Sequence, residues 1–251
     1  GRNQNENHDI LELVDEPHQP VERLLVDAFR RPCAHAFEHL VAELRRLLAQ
    51  AGHAAFSSIM DLPVPTFAFV NGAAMGGGVE IALACDHRTV SAGVPAFALP
   101  ETFLGLVPGW GGCYLLPHLI GPADALTVIV ANPLSQNLVG AADALKVIIE
   151  NPLSQNRMLK AKEVAALGIA DVLLEPADFI EDSLRWAAGV LSGAVTVQRR
   201  DVARDESAWD AACDGARKVV LAKTAGRAPG ALRAVELVRA ARTATREDAF
   251  A

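Results

Sequence analysis

The sequence predicts a mixed α/β fold that ends in a helical C-terminal region. Short apolar, β-leaning runs alternate with helical segments between Thr66 and Leu174, and this alternation is typical of α/β proteins. From Asp178 onward, apolar residues recur with helical spacing almost to the end of the chain. A chain of 251 residues suits one domain with a helical extension.

The N-terminal segment, residues 1–44, is predicted to be helical or partly disordered. Its first eight residues are polar, and a short apolar run at Ile10–Val14 precedes a linker with two prolines. Two stretches, Val21–Arg30 and Ala34–Gln50, then show helical spacing. The second stretch places four leucines on one face: Leu40, Leu44, Leu47 and Leu48.

Residues 45–200 are predicted to form the core, and residues 201–251 the helical C-terminal region. The predicted strands are Thr66–Val70, Arg88–Ser91, Ala96–Ala98 and Asp171–Leu174. The predicted helices of the core are Gly77–Cys85, Gly112–Leu116, Ala123–Val130, Ala142–Ile149 and Lys160–Leu167. Glycines and prolines separate most of these segments, as they do between strands and helices generally.

The first strand leads into a glycine-rich turn, Asn71–Glu80, with three consecutive glycines at Gly76–Gly78. A turn from a strand into a helix exposes backbone N–H groups that can bind a negatively charged atom. Such turns also occur without any function, and this one matches neither the dinucleotide-binding nor the P-loop glycine pattern. Glu80 lies in the first turn of an otherwise apolar helix, where an unpartnered charge would be costly.

A second carboxylate strengthens the case for a catalytic site. Glu101 lies in another apolar segment, Phe97–Gly112, about twenty residues downstream. Two glutamates in apolar surroundings, beside a turn lined by amides, can form an acid/base pair next to a site for an oxyanion. We therefore expect Glu80 and Glu101 to act together.

These motifs resemble those of the crotonase, or enoyl-CoA hydratase/isomerase, superfamily. The likeness is closest to the hydratase portion of actinobacterial multifunctional fatty-acid oxidation proteins, and it covers roughly residues 45–250. It rests on Val64–Asp86 and Phe97–Gly112 and continues through Asn151–Lys160 and Gly168–Val172. The resemblance implies a crotonase-like β-β-α spiral core, a homotrimer or dimer of trimers, and acyl-CoA thioester substrates in which coenzyme A is part of the substrate and no cofactor is needed.

The resemblance also implies roles for individual residues. Glu80 and Glu101 match the two catalytic glutamates that hold and activate water, and Gly77 matches a glycine whose N–H contributes to the oxyanion hole for the thioester oxygen. The expected substrate-binding residues are Met75, Gly76, Pro100 and Gly109. The implied reaction is the addition of water to a 2-enoyl-CoA thioester in fatty-acid β-oxidation.

Two alternatives to a hydratase stay open. A crotonase-fold isomerase or acyl-CoA hydrolase would need only one of the two glutamates. The family's other oxyanion amide lies in a loop of the type Ala-Gly-Ala-Asp-Leu, and no such motif precedes Val64. A non-catalytic crotonase-fold subunit or fragment is therefore the second alternative, and the chain as given is expected to be a weak or inactive catalyst.

A tandem repeat also departs from the family pattern. Leu119–Asn137 is followed directly by Leu138–Asn156, and 14 of the 19 positions are identical. The family pattern has room for one copy, so we expect the first to pack into the core and the second to be a looped-out or interface helix.

Composition excludes several other functions. A net charge of −7 argues against nucleic acid as a partner, and Arg199 and Arg200 are interpreted as surface charges. The apolar stretch Thr102–Ala123 contains three prolines and five glycines, which argues against a membrane span. The pattern His35-x-x-Glu38-His39 is too short to indicate zinc, and no metal site is expected. The polar N-terminus and the scattered cysteines favour a cytoplasmic enzyme.

Overall fold

The computed structural model describes residues 19–135 and 157–250. The chain divides into two units, Gly1–Leu48 and Ala49–Ala251. Helix α1, Gln19–Met60, begins in the first unit and ends in the second. Both stretches with helical spacing, Val21–Arg30 and Ala34–Gln50, belong to this one helix. Pro32 lies inside this helix and has no backbone N–H, so the helix continues through it with one hydrogen bond fewer.

In the part of the second unit that the structure describes, the strands form two small parallel sheets. Strands β1 (Phe67–Val70), β3 (His87–Ser91) and β5 (Val172–Leu174) form the larger sheet in the order β1-β3-β5. The two-residue strands β2 (Ala74–Met75) and β4 (Phe97–Ala98) pair with each other. Parallel neighbours need crossover connections, and the helices between these strands supply them.

The remaining described helices alternate with these strands and then follow them. They are α2 (Gly77–Ala84), α3 (Gly112–Ile120), α4 (Pro122–Leu126), α5 (Ala161–Ala166), α6 (Phe179–Leu191), α7 (Glu206–Thr224), α8 (Pro229–Ala241) and α9 (Arg246–Phe250). A single π-helical turn, Thr127–Ala131, continues α4. Within the described ranges, no helix is long and apolar enough to cross a membrane.

The hydrophobic core joins the α/β part to the C-terminal helices. Val79 of α2, Leu116 of α3 and Val238 of α8 are fully buried in one apolar cluster. Trp209 of α7 is also buried, and its indole N–H donates to the carbonyl oxygen of Val238 at 2.9 Å. The indole therefore adds a large buried apolar area while its polar atom keeps a partner.

The predicted α/β alternation with a helical C-terminal region is confirmed. The structure has strands at all four expected positions and adds β2, which lies inside the glycine turn. Expected helix Ala142–Ile149 lies outside the described residues. The expectation of nearly continuous helix after Asp178 was wrong at residues 192–205, which are mostly irregular and include Gly193 at a φ of 76°. Glycine readily adopts that left-handed backbone conformation, which a helix cannot continue through.

Arg199 is exposed, as the sequence suggested, and its charge is paired. Its guanidinium contacts the carboxylate of Asp171, with Nε 2.8 Å from Oδ1, and the Asp171 side chain is almost fully buried. Burial would raise the pKa of Asp171, but the guanidinium groups of Arg199 and Arg88 outweigh burial and hold that pKa below its usual range. The Asp171 carboxylate also accepts the backbone N–H of Arg88 at 2.8 Å, which ties the start of β5 to β3.

The first repeat copy packs into the core as far as the structure describes it. Leu126, Val128 and Ile129 are all buried. The second copy, Leu138–Asn156, lies outside the described residues. On its far side, the backbone N–H of Arg157 donates to the carbonyl oxygen of Asn132 at 3.4 Å. The chain therefore returns to nearly the point where the described part of the first copy ends.

Candidate active site

The candidate site lies where strands β2 and β4 end. The carboxyl ends of paired parallel strands lie at the same edge, so the residues after them are brought together. After β2 the chain enters the glycine turn and α2, and after β4 it passes through Leu99 and Pro100 to Glu101. The N–H of Gly76 donates to the carbonyl oxygen of Ala98 at 2.9 Å. This hydrogen bond fixes the glycine turn against the segment that carries Glu101.

Two features of position 76 require a glycine, namely its backbone angles and the close approach of a neighbouring side chain. Its φ of 54° and ψ of −125° lie in a region that residues with a side chain rarely adopt. A Cβ at this position would lie 2.8 Å from Oε1 of Glu101. Glycine thus lets the carboxylate approach the backbone at the start of α2. The N–H groups of Gly77 and Gly78 open that helix and have no acceptor within it, so they are suited to bind negative charge.

Glu80 is held in a buried, defined position by two backbone amides. Its residue surface is only 2% exposed. Its Oε1 accepts the N–H of Trp110 at 2.8 Å and that of Gly112 at 2.9 Å. Burial raises the pKa of Glu80, and the two N–H groups and the charge of His53 offset this only in part. Both hydrogen bonds use one oxygen, which leaves Oε2 for another partner.

Glu101 lacks such an arrangement. It begins a 3₁₀ turn, Glu101–Leu104, and its Oε2 is buried without a hydrogen-bond partner in the part of the chain that the structure describes. Burial raises the pKa of Glu101 to about 7, its own backbone N–H opposes the shift, and the negative charge of Glu80 adds to it. A carboxyl with this pKa exchanges a proton readily near neutral pH.

The two amide donors to Glu80 were not predicted from the sequence. Trp110 and Gly112 belong to the run Gly109-Trp-Gly-Gly112, which was identified only as part of the second glutamate motif. A Cβ at Gly112 would lie 2.6 Å from Cβ of Pro108 and 3.1 Å from Oε1 of Glu80. The glycine spacing, which lets backbone approach a buried carboxylate, was the available signal.

The expected substrate-binding residues surround these groups. Met75 is half-buried at the end of β2, directly before Gly76, and Pro100 directly precedes Glu101. Gly109 is exposed, and its carbonyl oxygen lies in hydrogen-bonding contact with Nε2 of His53. The structure thus brings Met75, Gly76, Pro100 and Glu101 to one edge and places Gly109 on the loop that holds Glu80.

The described residues contain no group of three His, Cys, Asp or Glu side chains positioned to hold a metal ion. The side chains of His35 and Glu38, which belong to the short histidine pattern, lie outside that description.

Comparison with known families decides the family of the chain. The model of the family described as enoyl-CoA hydratase/isomerase matches residues 37–170. The chain belongs to the enoyl-CoA hydratase/isomerase family. The resemblance inferred from the two glutamate motifs, and the crotonase-like fold that it implied, are thereby confirmed. The match includes the glycine turn, both glutamates and the loop that holds Glu80.

Two curated relatives show where such a sequence occurs. The fatty acid oxidation complex subunit alpha of Shewanella frigidimarina is 31% identical over 202 residues, which are 78% of this chain and 25% of that protein. A peroxisomal fatty acid beta-oxidation multifunctional protein of Arabidopsis thaliana is 32% identical over 146 residues, 57% of this chain and 17% of that protein. The chain therefore spans a quarter or less of the length of these relatives.

Solved structures of similar proteins are more distant. The enoyl-CoA hydratase from Bacillus anthracis is 22% identical, with 72% of this chain and 64% of that chain covered and a TM-score of 0.47. The family assignment rests on the sequence match.

Proposed function

We propose that this chain carries an enoyl-CoA hydratase-type site, which adds water to a 2-enoyl-CoA thioester in fatty-acid β-oxidation. The observation that carries the proposal is the contrast between two carboxylates at one strand edge. Glu80 is fixed by two amides, whereas one oxygen of Glu101 has no hydrogen-bond partner among the described residues, and the pKa of Glu101 is raised to about 7. Family membership and the fatty acid oxidation relatives support the substrate class.

In the proposed mechanism, Glu80 is the base and Glu101 is the acid. Ionised Glu80 accepts a proton from water through Oε2, and the resulting hydroxide attacks C3 of the substrate. Negative charge moves to the thioester oxygen, where the N–H of Gly77 at the start of α2 stabilises it. Protonated Glu101 then gives its proton to C2. Water has been added across the double bond, and a proton passed from Glu80 to Glu101 restores both groups.

The raised pKa values suit these roles. A base with a raised pKa takes a proton from water more readily, and an acid with a pKa near 7 is partly protonated at neutral pH. The two amides also orient Glu80, so that a water held by Oε2 would have a defined direction. An isomerase moves a proton between two carbons and adds no water, and this difference in product distinguishes the two reactions.

Hydration of crotonyl-CoA, followed as loss of the enone absorbance, tests the proposal. Consumption of crotonyl-CoA by the wild-type chain supports a hydratase, whereas conversion of a 3-enoyl-CoA without hydration would indicate an isomerase. Release of free coenzyme A would indicate a hydrolase. Binding of butyryl-CoA without any of these reactions would indicate a non-catalytic member of the family.

Completeness of the oxyanion hole is a separate question with its own test. Gly77 supplies one N–H, and a second donor would be worth about a hundredfold to a thousandfold in rate. We expect a weak catalyst whose rate rises by about that factor when a family-like segment with an Ala-Gly-Ala-Asp-Leu-type loop is added before Val64. Unchanged activity would mean that another backbone amide, such as one near Met75, already acts as the second donor of the oxyanion hole.

A further inference from the structure

A mostly apolar cavity of about 370 Å³ lies behind the loop that holds Glu80. Val107, Pro108 and Trp110 line one side, and Leu237, Ala241 and Ala244 line the other. The charged side chains at this cavity, Arg233 and Asp248, belong to exposed residues and lie at its rim. Its volume falls in the range of small-molecule pockets in proteins.

The indole of Trp110 lies between this cavity and the glycine turn. One edge of the ring faces Gly77, because a Cβ added there would lie 3.0 Å from the ring atom Cζ3. The ring also stacks on Phe56, with centroids 5.5 Å apart and planes at 25°. The same residue lines the cavity. Trp110 thus contacts the glycine that carries the proposed oxyanion donor and also lines the mostly apolar cavity.

Helix α1 accommodates the indole in this position. A Cβ at Gly52 would overlap the pyrrole part of the Trp110 ring. A glycine inside a helix lowers helix stability by about 1 kcal/mol relative to alanine. At position 52 this loss is offset because only a glycine leaves room for the indole ring. The backbone N–H of Trp110 is meanwhile bound to Glu80. The ring is therefore held from three sides, by Gly52, Phe56 and the Glu80 loop.

Small side chains keep the far side of the cavity open. The residues contributed by the end of α8 and the turn that follows include Ala240, Ala241 and Ala244. A larger apolar residue at any of these positions would reduce the volume of the cavity. The cavity thus has a mostly apolar lining, which includes the indole of Trp110 and the methyl groups of Ala240, Ala241 and Ala244.

We infer that Trp110 determines acyl-chain length at the proposed site, so that the wild-type chain takes short 2-enoyl thioesters. This rests on the proposed function, because it assumes that the thioester oxygen binds at Gly77. An acyl chain that extends past Gly77 meets the indole before it can enter the cavity. Removal of the ring would connect the space beside Gly77 with the cavity, and the connected space would form an apolar channel for a longer acyl chain. Each methylene then buried contributes about fourfold in affinity.

A double-mutant cycle with Trp110→Ala and Ala244→Leu tests this inference. Non-reacting butyryl-CoA and lauroyl-CoA serve as binding probes, measured by titration calorimetry. Trp110→Ala should raise the preference for lauroyl-CoA over butyryl-CoA by about tenfold or more. Ala244→Leu should cancel that gain in the Trp110→Ala background. Ala188→Leu, an exposed alanine-to-leucine change on α6, is the matched control and should not alter the preference.

Turnover of crotonyl-CoA and 2-dodecenoyl-CoA by the same variants separates the two proposals. If binding preference shifts but no variant hydrates either substrate, the hydratase proposal fails and the role of Trp110 stands. If the wild type hydrates both equally well, or Trp110→Ala leaves the preference unchanged, the inference is overturned. Absence of acyl-CoA binding in every variant overturns both. Trp110→Leu, which keeps more apolar volume, replaces Trp110→Ala should the latter fail to fold, with the same expected direction.

Discussion

The surroundings of Glu80 differ from those of Glu101 in how each carboxylate is satisfied. Glu80 projects from a helix into a loop whose two N–H groups bind one of its oxygens. Glu101 begins a short 3₁₀ turn, and one of its oxygens is buried without a partner among the described residues. Burial raises the pKa of both groups, yet only Glu80 receives hydrogen bonds from other residues that favour its charged form.

This difference shows how two identical side chains can take opposite roles. Hydrogen bonds to a carboxylate orient it and stabilise its ionised form, whereas burial without a donor favours the protonated form. One strand edge therefore carries a carboxylate fixed by two amides beside a second carboxylate whose pKa is raised to about 7, which is the division of roles that the proposed mechanism needs. The contrast is produced by backbone geometry, because both donors to Glu80 are main-chain amides.

The largest expected effect comes from neutralising either carboxylate. Glu80→Gln and Glu101→Gln should each lower kcat for crotonyl-CoA hydration by about a hundredfold or more, the usual range for a general acid or base. In Glu80→Gln the side-chain carbonyl oxygen can still accept both backbone N–H groups, so the loss of activity reports charge and not collapse of the loop. Glu181→Gln, at an exposed position on α6, is the control. Wild-type-like turnover in either site variant contradicts the role assigned to that residue.

The next largest effect is a pH dependence of the free energy of unfolding that is caused by the titration of Glu101. With a folded-state pKa of about 7 against an ordinary value of 4.5, the folded state binds more protons than the unfolded state between these values. Stability contributed by the protonated group is therefore present below pH 4.5 and lost as pH rises to about 7. Glu101→Gln removes this loss and should be more stable than wild type by up to about 3 kcal/mol at alkaline pH.

Urea unfolding across this pH range measures the effect. The difference between Glu101→Gln and wild type should be close to zero at acidic pH and should grow as pH rises. A difference that does not vary with pH would show that Glu101 titrates normally in the folded protein. Glu181→Gln again serves as the control, because its side chain is exposed in the structure.

A smaller effect is expected when the loop around Glu80 is crowded. Gly112→Ala places a methyl group against Pro108 and Oε1 of Glu80, so the loop has to shift. We expect a loss of about 2 kcal/mol in the free energy of unfolding, in the range of other overpacked sites. Gly78→Ala is the matched control, since a Cβ there meets no atom of the described residues within 4 Å. Equal stabilities of the two variants would show that the loop yields without cost.

The smallest effect is expected from removing the second repeat copy. Deletion of Leu138–Asn156 joins Asn137 to Arg157, and the hydrogen bond from Arg157 to Asn132 shows that the flanks already lie close together. If the deleted part is a loop, shortening it should stabilise the fold by about 1 kcal/mol, since each halving of a loop contributes about 0.6 kcal/mol. Thermal unfolding measures this. Loss of folding on deletion would place the second copy in the core.

Local signals predicted much of the fold and part of the site. The apolar run before Asn71 and the glycines after it predicted β1 and α2 to within one or two residues. The two glutamate motifs predicted the family. The amides of Trp110 and Gly112 were not predicted, because a backbone N–H donates whatever the side chain is, and the glycine spacing does not say which group approaches the backbone. Strand β2 was missed for a related reason, since two residues inside a glycine turn show no periodicity.

The contacts that build the site differ in how far apart their two residues lie along the chain, and this difference affects folding. Gly112 bonds to Glu80 across 32 residues, whereas β5 reaches β3 across about 83. Shorter closures cost less entropy and tend to form earlier. Substitutions that loosen the Glu80 loop should therefore slow refolding, while those at Asp171 should mainly speed unfolding, as stopped-flow measurements in urea would show. The carboxylate pair would then be assembled before the sheet beside it is complete.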